Sequence, residues 1–318
     1  MTSVAEIGRL ARAHDRIIDR LDASHGARLA TILDQLEFRV VEIANEIPID
    51  KRFKEGRLTR AELAIRQRPM IEAAIRTTFL GWAHQTISGY DEAASSVIKM
   101  MQHSIGGFIE NDADIINNLK RISFAGYQDI ANRFLDTISN GLYQNAIAGR
   151  SQVEAVKDMQ QAINGVFIKS DDAEISRLVE FVKNNADDPK KSKLVALGIE
   201  KLHTFYGADR AGNNLRRYAY QQVHDGLMQF SASFTAKKAR DAGLKHYQYY
   251  GSVVTDSRPW CVRHAGMTMT IEEIREKWAS NSWKGKSPGE PLIVRGGYNC
   301  RHHFVPVEPE WVEEREAA

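Results

Sequence analysis

Leu29-Ala30-Thr31-Ile32-Leu33-Asp34-Gln35-Leu36-Glu37-Phe38-Arg39-Val40-Val41-Glu42-Ile43 decides the fold class. Leu29, Leu33, Leu36, Val40 and Ile43 recur at 4-3-4-3 spacing, which lines them along one face of an α-helix. Two heptads are too short to define a coiled coil, so the stripe predicts a helix packed against a neighbouring helix. The same character extends over residues 1–240, where the only prolines are Pro48, Pro69 and Pro189 and strand-like alternation is weak.

Local signals divide this helical stretch. Pro48 is expected to stop the first long helix, with Gly56 in the following loop. Three capping boxes mark helix starts: Thr59 with Glu62, Ser151 with Glu154, and Thr270 with Glu273. In each, a hydroxyl and a carboxylate three residues apart can satisfy orphan amides of a first turn. Further helices are expected at about 91–105, 112–148, 151–164, 171–185, 190–206 and 210–242. Gly106-Gly107 and Asp187-Asp188-Pro189 are the clearest breaks between them.

The character changes near residue 244. Lys245-His246-Tyr247-Gln248-Tyr249-Tyr250 is aromatic and partly alternating, as a strand is. A turn at Asp256-Ser257-Arg258-Pro259 follows, then a short helix after Thr270 and a polar loop at 280–290. Two strand-like runs come last, Pro291–Val294 and His302–Val307. The expected fold is therefore mostly α, a long-helix body with a small α+β C-terminal module. Its divisions are a helical arm or bundle (1–139), a helical body (140–243), the module (244–307) and a polar tail (308–318).

Bulk properties bound the function. The net charge of +2 excludes a polycation built to coat nucleic acid. Alternating charge at Glu6, Arg9, Arg12, Asp15 and Arg16 excludes a secretory signal at this N-terminus. No stretch of about 18 uncharged apolar residues occurs, so no membrane span is expected. Two cysteines are too few for a secreted disulfide scaffold and suit a cytosolic folding environment. Charge is uneven, however: residues 190–250 hold eleven Lys/Arg against four Asp/Glu. Lys190, Lys191, Lys193, Arg216, Arg217, Lys237, Lys238 and Arg240 could face DNA phosphates or an acidic protein, or form an ordinary solvated helix face.

The module carries the chemistry. Cys261-Val262-Arg263-His264 is a Cys-x-x-His pair, and Cys300-Arg301-His302-His303 holds a Cys-x-His pair with a second histidine. On a strand, Cys300 and His302 would point one way and His303 the other. Cys261, His264, Cys300 and His302 could thus close a tetrahedral Cys2His2 zinc site that pins a small module. Other readings of the same residues are buried small cysteines, a disulfide formed outside the cell, and hydrogen-bonded structural histidines. A nuclease or transferase could use His264, His302, His303, Arg258, Arg301 and Asp256. Those residue types also build ordinary turns and salt bridges, and no P-loop, nucleophile elbow, dinucleotide fingerprint, HExxH or paired-carboxylate motif accompanies them, so no catalytic residues are expected. Asp256 and Arg258 belong to a turn. Arg295-Gly296-Gly297-Tyr298-Asn299 reads as a tight loop needing positive φ, with the Asn299 side chain as its cap.

Three segments together carry a resemblance: Tyr250–Cys261, His264–Ile274 and Gly296–His302. Their Asp-x-Arg-x-x-Cys run, following Gly and closing Asn-Cys-Arg run resemble the C-terminal module of phage head morphogenesis proteins of the Mu F-like type. Leu142–Ser151 resembles that family's helix–Gly–Ser–helix step, and Leu215–Ala242 resembles the helix leading into the module. The likeness spans roughly 140–307 and is specific over 250–304. Many members carry a second cysteine where His264 and His302 stand here, which keeps both positions metal-competent. Many carry Arg-Thr-Glu where Tyr218-Ala219-Tyr220-Gln221 stands here.

The resemblance implies a minor structural protein of a tailed-phage virion, lying inside the head or at the portal vertex and present in host cytoplasm during assembly. It implies portal and capsid proteins as partners, DNA as a further contact, and an oligomeric setting. Similar modules also occur fused to toxin-like effector enzymes; the chain ends at Ala318 after the module, which favours the structural role. A DNA-binding packaging or ejection factor using the basic block is the remaining alternative.

Overall fold

A computed structural model of the chain describes residues 4–45, 57–105, 109–148, 152–164, 173–185, 191, 194, 197–198, 201, 214–255 and 257–308. The long helices are α1 (Val4–Asn45), α2 (Arg57–Ile75), α3 (Gly81–Ser88), α4 (Tyr90–Ile105), α5 (Glu110–Ala148), α6 (Gln152–Asn164), α7 (Ala173–Asn185) and α8 (Leu215–Asp241). A π-helical turn, Arg76–Leu80, joins α2 to α3. The module follows as β1 (His246–Tyr250), α9 (Pro259–His264), β2 (Thr268–Thr270), α10 (Ile271–Ser280), α11 (Pro291–Val294) and β3 (His303–Val307). The fold is mostly α with a small α+β C-terminal module.

The described chain forms two compact units. One comprises 1–26, 84–126 and 221–318; the other comprises 27–83 and 127–220. The second unit is built around the opening stripe. Leu29, Leu33, Leu36, Val40 and Ile43 are all buried. Polar groups beside the stripe are paired: Glu37 accepts from Gln160 and Asn164, and Arg216 binds Asp34 at 2.6 Å. Phe79, Trp82 and Tyr127 form an aromatic cluster with centroids 5.6–6.1 Å apart.

The first unit packs α1, α4, α5 and α8 with the module. Tyr90 and Phe230 are in ring contact at 5.0 Å. Lys238 of α8 is buried with Asp112 of α5 at 2.8 Å. His14 of α1 is buried between two hydroxyls, Ser96 Oγ at 2.6 Å and Ser231 Oγ at 2.9 Å.

In the module, β1 is the central strand of an antiparallel sheet ordered β2-β1-β3. Its expected alternation is present: Tyr247 and Tyr249 are buried, and Tyr249 pairs in register with Phe304. Both arms of the Thr270/Glu273 capping box are present at the start of α10.

Several expectations change. Pro291–Val294 is one helical turn, not a strand; Pro291 fits an N1 position, and Glu290 O accepts the N–H groups of Ile293 and Val294. The final strand starts at His303, so His302 precedes it. α2 begins at Arg57, which puts Thr59 inside the helix. Pro48, Gly56, Gly106-Gly107, Ser151 and Asp187-Asp188-Pro189 lie outside the described residues, as does most of the expected 190–206 helix.

Candidate metal centre

A short helix, a loop and a strand bring the module's chemistry to a point. Arg258 and Pro259 launch α9, with Pro259 at its first helical position, which delivers Cys261 one turn in. Arg258 Nη2 donates to the Tyr298 carbonyl oxygen, tying this helix to the loop that carries Cys300. That loop is tightly specified. Arg295 (φ 56°), Gly297 (φ 99°) and Asn299 (φ 52°) all take positive φ. A Cβ on Gly297 would strike the Gly285 carbonyl oxygen, so only glycine fits there. Gly296 does not take positive φ; its requirement is space. A Cβ there would lie 2.5 Å from Cys261 Sγ and 2.8 Å from Cys300 Sγ. The Asn299 side chain is exposed; its backbone N–H donates to Asp225 Oδ1 at 3.0 Å, so α8 supplies the polar partner at this turn.

The result is a buried Cys261, Cys300 and His302 group that can hold a metal ion. The sulfurs are 3.8 Å apart, and Cys300 Sγ lies 3.9 Å from His302 Nδ1. Both cysteines are free thiols, and one ligand atom from each of the three residues lies within 4.8 Å of the others. Tyr249 Oη approaches both sulfurs, at 3.4 and 3.5 Å. The Tyr249 and His302 rings stack 5.2 Å apart at 11°, which turns their polar edges toward the same sulfur.

Electrostatics favour anionic sulfur at this centre. The hydrogen bond shared by the two sulfurs pushes Cys300 down and Cys261 up. His302, Tyr249 and the Arg295 guanidinium further favour the Cys300 thiolate. Arg295 is almost wholly buried; burial depresses its pKa, and Cys300 and Asp225 oppose that effect. Burial pushes the Tyr249 hydroxyl well up, and the neighbouring thiols add to this.

His264 is not part of the group. It ends α9, where its Nδ1–H donates 2.8 Å back to the Trp260 carbonyl oxygen and its ring lies 3.9 Å from the Trp260 ring. This bond fixes the ring through Nδ1, and His264 is not among the ligand atoms that lie within 4.8 Å of one another. Trp260, Trp278 and Trp283 pack beside it as an aromatic wall. Cys300 and His302 do converge, through loop geometry instead of strand alternation, since His302 lies outside β3. His303 takes the opposite direction, with Nδ1 3.4 Å from Asp15 of α1. Asp256 lies outside the described residues.

Several described members of the basic block are engaged within the fold. Lys238 is buried on Asp112, Lys237 is paired with Asp241, and Arg216 is paired with Asp34. Arg217 lies 5.6 Å from the Tyr218 ring, and Lys191 donates to Asn185 at 2.6 Å. Arg240 is exposed, while Lys190 and Lys193 lie outside the described residues. Much of this charge is used within the fold, because helices place acidic partners one turn or one packing contact away.

Sequence reasoning missed Tyr249, Arg295 and Asp225. Tyr249 was foreshadowed by the alternation of β1, which puts it on the buried face with Tyr247. Nothing in the residue pattern singles out Arg295 or Asp225. No protein-family model, curated protein or solved structure matches this chain.

Proposed function

We propose that this chain is a minor structural protein of a tailed-phage virion, acting in head assembly at or near the portal, with a C-terminal module closed by zinc. What supports the reading is the convergence of two motif ends. The Arg258–Cys261 segment and the Asn299–His302 segment, which carry the Mu F-like resemblance, meet at one buried centre. Two thiols and an imidazole in a buried setting suit zinc better than harder cations. On this reading the metal ties the two ends of the module together and stabilises a scaffold for protein contacts.

Assembly is the deciding experiment. The full chain, co-expressed with the portal and capsid proteins of its own phage, is expected to sediment with procapsids. A chain that stays monomeric and never associates with portal or procapsid would sink the assembly role. Zinc is read separately, by metal analysis of protein purified without chelator. About one zinc per chain is expected, lost in Cys261→Ser and Cys300→Ser.

A further inference from the structure

We infer that the Tyr249 hydroxyl oxygen is the fourth donor of the metal centre, giving a closed Cys261–Cys300–His302–Tyr249 set that binds a zinc-type dication with the tyrosine as tyrosinate. This rests on the zinc reading above and extends it to a ligand of a different chemical kind.

Distances carry the case. A tetrahedral zinc with Zn–S of about 2.3 Å and Zn–N and Zn–O of about 2.0 Å requires an S–S edge of about 3.8 Å and S–O and S–N edges of about 3.5 Å. The corresponding separations are 3.8 Å between the sulfurs, 3.4 and 3.5 Å from Tyr249 Oη to each sulfur, and 3.9 Å from Cys300 Sγ to His302 Nδ1. Four of the six edges of one tetrahedron are therefore close to their metal-bound lengths. His264 is not among the side chains whose ligand atoms lie within 4.8 Å of one another, so it does not supply the fourth vertex. Tyr249 is itself buried, so the oxygen at that vertex is a side chain of this protein.

Space and charge agree. The missing side chain of Gly296 leaves open the region faced by both sulfurs and the Tyr249 oxygen; a Cβ there would sit 2.5, 2.8 and 3.2 Å from the three atoms. Two thiolates and a tyrosinate carry three negative charges, and a dication supplies two positive ones. The buried Arg295 guanidinium, whose charged form Cys300 and Tyr249 both favour, supplies the third. Asp225 is 3.9 Å from Arg295, a long ion pair, and burial favours its neutral form. Counted from the neutral forms of Cys261, Cys300 and Tyr249, binding balances as one dication in and three protons out. A bound cation inverts the local preference for neutral phenol.

The full-length protein, stripped of metal and titrated with zinc and then cobalt, tests this. Addition of either metal is expected to raise the ultraviolet difference spectrum of one tyrosinate per chain. Tyr249→Phe, which keeps the ring packing, should lose that signature, release one proton fewer per ion, and bind zinc at least about 100-fold more weakly, at or beyond the upper end for losing an outer-shell partner. Tyr249→His should recover tight binding without the tyrosinate signal. If metal binds with no tyrosinate signature, or if Tyr249→Phe keeps its proton count and affinity, Tyr249 is not a ligand although the zinc reading stands. If the wild-type chain takes up neither metal, the zinc reading and the tyrosine ligand both fall, while the assembly role remains to be judged on procapsids.

Discussion

At the scale of single residues, the centre is specified by what is absent as much as by its donors. Gly296 has an ordinary backbone conformation, so its role is invisible to a reading that treats glycine as a turn former. The two-glycine run indicated a tight loop, but not that one glycine answers to backbone torsion and the other to sulfur atoms. Gly296→Ala separates these roles. The added methyl would meet Cys261 Sγ at 2.5 Å and Cys300 Sγ at 2.8 Å, and both sulfurs belong to packed side chains. Overpacking of this kind costs about 1–3 kcal/mol. We expect the urea midpoint to fall accordingly, with metal uptake reduced in parallel. An unchanged midpoint with full metal uptake would show that the sulfurs can yield and that Gly296 is not needed for space. The cysteines themselves were legible as a ligand pair. Which histidine joins them was not, because spacing cannot tell an imidazole that turns to its own helix from one that turns to a metal.

At the scale of elements, periodicity carried most of the helices, because burying a stripe is a one-dimensional property of the chain. It could not reveal how polar residues on different helices would meet. His14 sits about a quarter of the way along α1 and reads as an ordinary histidine. In the fold its two ring nitrogens face Ser96 Oγ of α4 and Ser231 Oγ of α8, so one imidazole bridges three helices. Burial lowers its pKa from 6.5 to about 4. The native state thus keeps the ring neutral where the unfolded chain protonates it. The associated stability is fully present above about pH 6.5 and is lost as pH falls toward 4, up to the order of 3 kcal/mol. Denaturant midpoints measured from pH 7.5 to 4.5 are expected to drop over that window in the wild type. In His14→Gln, which can still hydrogen-bond both hydroxyls but does not titrate, the His14 part of the drop should vanish. Equal slopes in the two proteins would mean that His14 does not control this transition. The capping box at Thr270 is the opposite case, an element signal confined to four residues and therefore readable directly.

At the scale of the whole molecule, the change of character near residue 243 coincides with a change of element: α8 ends at Asp241, Gly243 takes a φ of 71°, and β1 begins at His246. A junction in sequence is not the limit of a folding unit. The module shares its compact unit with residues 1–26 and 84–126 and with most of α8. Its polar groups are completed from those helices. Asp225 of α8 receives the Asn299 N–H and faces Arg295, and Asp15 of α1 faces His303. These partners lie far away in the chain and have no spacing relation to the module's motifs, which is why no local reading could assign them. A fragment of residues 244–308 would keep the sheet, the tryptophan wall and the metal ligands. It would leave the Asn299 N–H without its Asp225 acceptor and His303 without Asp15, and would uncover the side of Arg295 that faces α8. A module of this size has a core worth only a few kcal/mol to begin with. We therefore expect the fragment to give a poorly dispersed amide spectrum even with one equivalent of zinc, and to gain dispersion when residues 1–243 are supplied in trans. A well-dispersed spectrum from the fragment alone would mean that metal and sheet suffice, and that the contacts from α1 and α8 dock a finished module instead of completing it.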